Sequence, residues 1–400
     1  VNMTIGKAKA TVVLGAARTP VGRFLGGLSS LRAPELGALA IAEAVKRSGA
    51  DPADVDGVMM GNVCPAGIGQ APARQAAIGA GLSPTVPALT VNKVCGSGMI
   101  AAMLACQQIK AGDAKLVVAG GQESMSNVPY YLKQLRNGNK LGDTKLQDGM
   151  VYDGLWDFFG NTHMGELGDF TAKNSGITRE EQDAWACRSH QRAVEAAQKG
   201  WLKEEIVPVS IPQRKGDPVV VTADEGPRAD TTVEKLAKLK PVFTRDGTVT
   251  AGNASSINDG AAALVLSSEV YAEEKKLKPL ARVITYTTGS VEPKMLFYAP
   301  VTAVRRLLEI QGGDIKQFDL IELNEAFASQ VLADGNELGW DWDKVNVNGS
   351  GISMGHPIGC SGARIVVTLL FALKQRGLKR GLAAICLGGG EATAMSVELL

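Results

Sequence analysis

The sequence predicts an α/β protein made of two similar half-domains, with a long segment inserted into the first. Three observations carry this. Strand-like and helix-like stretches alternate in the first 125 residues and again towards the end of the chain, which implies crossover connections and a mostly parallel sheet covered by helices. The order of features in the first half recurs in the second. Residues 126–250 fit neither pattern, being richer in charge, aromatics and turn residues.

ATVVLGA (10–16) is a short apolar run and reads as a buried strand. APELGALAIAEAVKRSG (33–49) has apolar positions at helical spacing, with Pro34 near its start and Gly49 at its end. VDGVMMGNV (55–63) reads as a strand, residues 97–110 as a helix and AKLVVAGGQES (114–124) as another buried strand. In the middle segment, TREEQDAWACRSHQRAVEAAQKG (178–200) is an amphipathic helix, opened by Thr178 with Glu181 three residues on, a capping box. The strand pattern returns at TVTAGNASSINDGAAALVLSS (248–268).

The repeat is weak in identity but ordered. Ala-Pro, a helix, a glycine and two aspartates five apart (Asp51 and Asp56) precede a strand; Asp314 and Asp319 stand in the same relation after APVTAVRRLLEIQGG. Ser97-Gly98, Gly112 and Gly120-Gly121 find counterparts in Ser361-Gly362, Gly377 and Gly389-Gly390.

At 400 residues the chain is long enough for several domains. Its net charge of +1 comes without blocks of like charge, so no electrostatic footprint for nucleic acid or an anionic membrane is present. No fully apolar run approaches the ~18 residues of a spanning helix; RIVVTLLFAL (364–373) is the greasiest stretch and starts with arginine. The first residues show no secretory signal pattern. Six scattered cysteines and three histidines suggest reduced thiols in a cytoplasmic enzyme, not a disulfide framework or a metal site.

Cys95 stands just ahead of Gly96-Ser97-Gly98 and a helix. The positive end of the helix dipole and its unpaired N–H groups favour thiolate, and the glycines allow close approach of a substrate. A cysteine is more often a small buried hydrophobe; the glycines tilt this one towards chemistry. His356, between Gly355 and Pro357, is presented from a turn ahead of a helix and suits a base beside a nucleophile. His190, on the middle helix, reads as structural. Cys386 ends a strand before three glycines, whose N–H groups suit an oxyanion; alone, a tight turn with a core cysteine is the better reading. Asn324 ends another strand and is either a helix N-cap or a holder of a water or carbonyl oxygen.

Together these stretches resemble the thiolase family over nearly the whole chain. VNKVCGSGM is similar to its nucleophile motif, GGQESMS to the segment that follows, TVTAGNASSINDGAA to its coenzyme A loop, NEAFA to its asparagine motif, GHPIGCSGARI to its histidine motif and CLGGG to its second cysteine motif. The resemblance implies duplicated βαβαβαββ half-domains in five layers, α-β-α-β-α: residues 1–125 plus 251–279, residues 280–400, and an inserted loop domain, 126–250, for coenzyme A and oligomer contacts. It implies that Cys95 carries the acyl group, that His356 activates it, and that His356 with a water on Asn324 forms one oxyanion hole. The N–H groups of Cys95 and Gly388 would form the other, and Cys386 would move the α-proton. Leu155, His163, Met164, Arg228, Phe243, Ser255 and Phe327 would meet coenzyme A or the acyl group. Without the resemblance, Arg228 reads equally as a solvated loop charge. No tightly bound cofactor is implied; acetyl-CoA and coenzyme A are substrates, and the assembly expected is a homotetramer, a dimer of dimers.

The activity implied is condensation of two acetyl-CoA to acetoacetyl-CoA and coenzyme A, and the reverse. Leu296-Phe297 stand where short-chain members carry Met-Gly, Ser350 and Ser353 replace small apolar residues, and Glu391-Ala392 follow the glycines where an uncharged residue and Gly are usual. These leave a longer-chain 3-ketoacyl-CoA thiolase of fatty-acid oxidation as the alternative. A cysteine hydrolase has no need of the second cysteine with its glycines, and a non-catalytic scaffold has no need of four reactive motifs.

Overall fold

A computed structural model describes residues 10–400; the first nine residues, where the signal reading and the start of the first half-domain fall, lie outside them. The principal strands are β1 (Thr11–Arg18), β2 (Gly57–Gly61), β3 (Ala88–Val91), β4 (Leu116–Ser124), β5 (Asn258–Ser268), β6 (Ala281–Ser290), β7 (Leu320–Leu323), β8 (Arg380–Leu387) and β9 (Glu391–Leu399). They line up in the order β7-β8-β9-β6-β1-β5-β4-β2-β3. The helices that matter for the site are α1 (Ala33–Ser48), α2 (Pro72–Gly79), α3 (Ser97–Ala111), α4 (Met164–Asn174), α5 (Arg179–Gln198), α6 (Ala299–Gln311), α7 (Ala328–Leu338) and α8 (Ile358–Arg376).

The sheet is not mostly parallel, as the alternation had suggested. Only β2–β3, β2–β4 and β7–β8 among these strands run parallel; β1–β5, β5–β4, β1–β6, β6–β9 and β8–β9 are antiparallel. Connection length explains this. β8 and β9 are joined by Gly388–Gly390 alone, too short for a crossover, and β5 enters from the long insertion without a covering helix of its own.

Side-chain alternation along the strands makes the layers. Val117 and Ala119 of β4 face one apolar core with α3 and α8, while Leu116 and Val118 face a second with α1 and α2. On the other half, Ala383 and Ile385 of β8 join the α3/α8 core, while Leu382 and Ala384 pack against α6 and α7. The result is α-β-α-β-α, with α3 and α8 in the middle layer. Each fully buried Val, Leu or Ile there contributes about 1.5–3 kcal/mol.

The duplication extends to individual hydrogen bonds. Asp51 caps the turn Pro52–Asp54 through Ala53 N (2.9 Å), and Asp314 caps Ile315–Gln317 through Lys316 N (2.8 Å). Asp56 accepts from Lys115 N and Leu116 N (2.6 and 3.0 Å); Asp319 accepts from Lys379 N and Arg380 N (3.0 and 2.8 Å). Gly112 and Gly377 end α3 and α8 in left-handed geometry, φ 88° and 65°.

α8 corrects another expectation. Its 19 residues are long and apolar enough to cross a membrane, because Gly, Ala, Ser and Cys extend the greasy run. Almost all of it is buried between the two halves of the sheet.

Candidate active site

The middle layer brings the two reactive motifs together. A β-carbon on Gly98 would lie 2.7 Å from Ala363 N, and one on Gly362 would lie 2.6 Å from Met99 N. The N-terminal turns of α3 and α8 therefore meet backbone to backbone through a reciprocal pair of glycines, equivalent in the repeat. No larger residue fits without moving the helices apart.

Cys95 lies on a tight turn between Val94, at φ 46°, and Gly96. A β-branched residue in left-handed geometry is strained. Hydrogen bonds hold it: Lys93 N–H donates to Ser97 Oγ (2.8 Å), Ser97 Oγ–H to Val94 O (2.6 Å) and Val94 N–H to Asn92 Oδ1 (3.1 Å). The helix start by itself favours thiolate. Burial prevails instead, pushing the Cys95 thiol up to about 12, against the N–H groups of Gly388 and of Cys95 itself, which favour the anion.

His356 N–H donates to Asn258 Oδ1 (2.9 Å), fixing the loop after Gly355, whose φ is 116°. The ring is oriented by Ser361, 2.6 Å from Nδ1. Because the Ser361 hydroxyl donates its one proton to Pro357 O (2.9 Å), it accepts from Nδ1–H, which leaves Nε2 as the basic lone pair. Burial, with the nearby Arg364 charge, depresses the imidazole to about 3. Between this value and the ordinary 6.5 the unfolded chain binds a proton that the folded one does not, so stability rises with pH across that window. We expect denaturant unfolding of His356→Asn between about pH 4 and pH 6.5 to show a flatter pH dependence than the parent, as the linkage requires.

Asn324 is not a helix cap. Phe327 is the N-cap of α7, and Asn324 is wholly buried, with Nδ2 3.5 Å from His356 Nε2 and Oδ1 3.5 Å from Arg364. Both contacts are long for hydrogen bonds. Cys386, at the end of β8, is buried; burial, the Cys95 sulfur and Asp334 all hold its thiol well above the ordinary range. The following turn needs glycines, since Gly389 and Gly390 have φ of 91° and 84°.

Cys95, His356, Cys386 and Gly388 line a single cavity of about 310 Å³. Leu155, His163, Met164, Phe243, Ser255 and Phe327 line it too. His163 Nδ1 accepts from Gly165 N (3.0 Å), capping α4, and its ring stacks on Phe243 at 4.7 Å. Asp169 of α4 accepts from Thr248 N and Val249 N (2.7 and 2.8 Å), tying the Phe243 loop to that helix. Ser255 N donates to Ala326 O (2.9 Å), joining the 254–257 loop to the asparagine motif.

Two predicted residues stand apart. Asn324 does not line the cavity but reaches His356 Nε2 at its edge, and Arg228 is exposed and outside the cavity. Arg228 N donates to Nδ1 of buried His190 (3.2 Å), so the histidine set aside as structural anchors that loop.

The departures are accommodated. Leu296 and Phe297 are buried in the cavity wall beside Cys386, with Phe297 edge-on to Phe327 at 5.1 Å. Ser350 donates to Glu322 (2.9 Å) and accepts from Arg364 (3.1 Å), and Ser353 contacts Ser189 at 2.8 Å. Glu391 forms an ion pair with Lys93.

Sequence reasoning passed over two buried carboxylates. Glu123 receives N–H bonds from Val63 and Gly359 (2.9 Å each), joining the end of β2 to the first turn of α8, and burial raises it to about 7. Glu325 receives Trp185 Nε1, Ser189 Oγ, Asn346 Nδ2 and Ile352 N, pinning the histidine loop to α5. The signal was present in GGQES and NEAFA, in acids placed at strand ends, but an acid there reads as exposed until packing closes over it.

A thiol at a helix start, an oriented imidazole, a second thiol and a glycine turn around one apolar cavity define an acyltransferase. The chain belongs to the thiolase family: the thiolase N-terminal domain matches residues 11–270 and the thiolase C-terminal domain residues 277–399. It is 52% identical over 386 residues to an acetyl-CoA acetyltransferase of Pseudomonas aeruginosa, covering 96% of this chain and 98% of that one. A probable acetyl-CoA acyltransferase of Staphylococcus aureus is 50% identical, covering 97% and 98%. The crystal structure of the Bacillus anthracis acetyl-CoA acetyltransferase superposes with a TM-score of 0.96 at 46% identity, covering 98% and 99%.

Proposed function

We propose that the protein condenses two acetyl-CoA to acetoacetyl-CoA and coenzyme A, and catalyses the reverse thiolysis, through an acyl-Cys95 intermediate. The observation that carries this reading is the convergence of Cys95, His356 and Cys386 on one cavity. His356 Nε2 takes the Cys95 proton as the sulfur attacks the thioester carbonyl; coenzyme A leaves with a proton. Cys386 then removes the α-proton of the second acetyl-CoA, its enolate oxygen facing His356 and a water held by Asn324. The carbanion attacks acyl-Cys95, whose tetrahedral oxyanion meets the Cys95 and Gly388 N–H groups; its collapse breaks the carbon–sulfur bond to Cys95, releases acetoacetyl-CoA, and the proton held by Cys386 returns to the Cys95 sulfur. His163, Phe243, Leu155, Met164 and Ser255 border the pantetheine, and Arg228 sits at the surface for a phosphate.

The division into halves, 1–125 plus 251–279 and 280–400, with an insertion at 126–250, belongs to the same reading. So does assembly as a dimer of dimers, for which exposed Leu135, Leu141 and Leu146 on the insertion offer apolar surface. A cytoplasmic setting is supported by the six free cysteines of the described chain.

A second reading, thiolysis of longer 3-ketoacyl-CoA, is favoured by the name of the Staphylococcus relative. Phe297 argues for short chains, because its ring closes the wall beside Cys386. The test is thiolysis of acetoacetyl-CoA against longer 3-ketoacyl-CoA with added coenzyme A, in the parent and in Phe297→Leu. We expect the parent to prefer acetoacetyl-CoA and the variant to gain about tenfold in relative kcat/KM for a longer chain. A parent preference for long chains defeats the short-chain reading, and product release without coenzyme A defeats both.

A further inference from the structure

The geometry points to the Lys93–Glu391 ion pair as a positioning device that sets the two halves of the Cys95/Gly388 oxyanion cradle against each other. The cradle is built from two turns of different half-domains, 93–96 ahead of α3 and 387–391 between β8 and β9. They touch at three successive points. A β-carbon on Gly96 would fall 2.5 Å from Leu387 Cδ2, and one on Gly388 would fall 3.2 Å from Val94 Cγ1. Beyond these, Lys93 Nζ meets Glu391 Oε2. The first two contacts are apolar and act at short range, resisting approach but not sliding. The ion pair supplies direction, tying the residue two before the nucleophile to the residue that opens β9.

Both turns need such a tie. One contains Val94 in strained left-handed geometry, and the other runs through three glycines. Small rotations of either change how the Cys95 and Gly388 N–H groups point, and catalytic stabilisation depends on their direction. The pair is 36% and 33% exposed, so its contribution to folding is small and its removal leaves a folded enzyme. It is also open to salt. In thiol attack a sulfur–carbon bond forms and the carbonyl π pair moves onto oxygen; collapse expels the coenzyme A sulfur, which takes the proton. The pair acts on this step through the amides and touches no reacting atom.

This rests on the acyl-Cys95 reading, and the experiment separates the two. Rapid mixing with acetyl-CoA, followed by intact mass, gives the acylation rate of the parent, E391Q, K93M and the charge-swapped K93E/E391K. We expect each single variant to acylate about fivefold more slowly, the scale of one exposed ion pair, with KM for coenzyme A in thiolysis unchanged and the swap restoring most of the rate. Salt near 1 M, where the screening length is about 3 Å, slows the parent towards the E391Q rate and leaves E391Q unaffected. Equal acylation rates in all four proteins, or a swap no faster than the singles, overturns the inference while leaving acyl transfer intact. A parent that never gains acetyl mass on Cys95 overturns both.

Discussion

Cys95→Ala abolishes the acyl-enzyme. Mixed with acetyl-CoA, the parent gains the mass of one acetyl group on the Cys95 peptide and the variant gains none; condensation and thiolysis fall by roughly 10⁴-fold or more, the scale of losing a nucleophile from a concerted set. The substitution leaves the fold in place, since it shortens a side chain at the edge of the cavity. Cys386 does not substitute, although it is a thiol on the same wall. In the variant its anion is still opposed by burial and by Asp334. Cys95→Ser makes the sharper comparison, because the hydroxyl keeps the size and loses the acidity. A serine hydroxyl is far harder to ionise than a thiol, so the imidazole removes its proton much less readily and acylation falls steeply. Acetyl mass on the Cys95→Ala protein at the parent's rate would place the nucleophile elsewhere.

What the residues disclosed, and what they hid, follows from the range of each effect. Element positions were legible because helix stops and capping boxes act within a few residues: α1 ends at Gly49, and α5 starts from Thr178 with its predicted box. The duplication was legible because the paired aspartates make the same local bonds twice. Strand direction was not, since apolar patterning is the same in parallel and antiparallel strands and direction depends on how β5 returns. Cys95, His356 and Cys386 were legible as candidates because glycines and turns mark them, and the fold brings all three to one cavity. The desolvation that opposes the thiolate was hidden for the opposite reason: the helix dipole is visible in sequence, whereas burial depends on walls contributed by Phe243, Phe327 and Leu387, far away in the chain. The Ser361 bond that sets the imidazole tautomer, and Glu325 holding the histidine loop, depend on the same closure.

Cys386→Ala separates the two half-reactions. Exchange of labelled coenzyme A with acetyl-CoA, which needs only Cys95 and His356, persists within a few-fold of the parent. Formation of acetoacetyl-CoA falls by roughly 10²–10⁴-fold, the range of a lost general base. Measured in deuterated water, proton exchange at the α-carbon of acetyl-CoA should fall in parallel: Cys386→Ala loses it with acylation of Cys95 intact, because the group that moves the proton is gone while the group that carries the acyl remains. Full condensation by Cys386→Ala, or undiminished exchange in that variant, would show that the proton moves through another group.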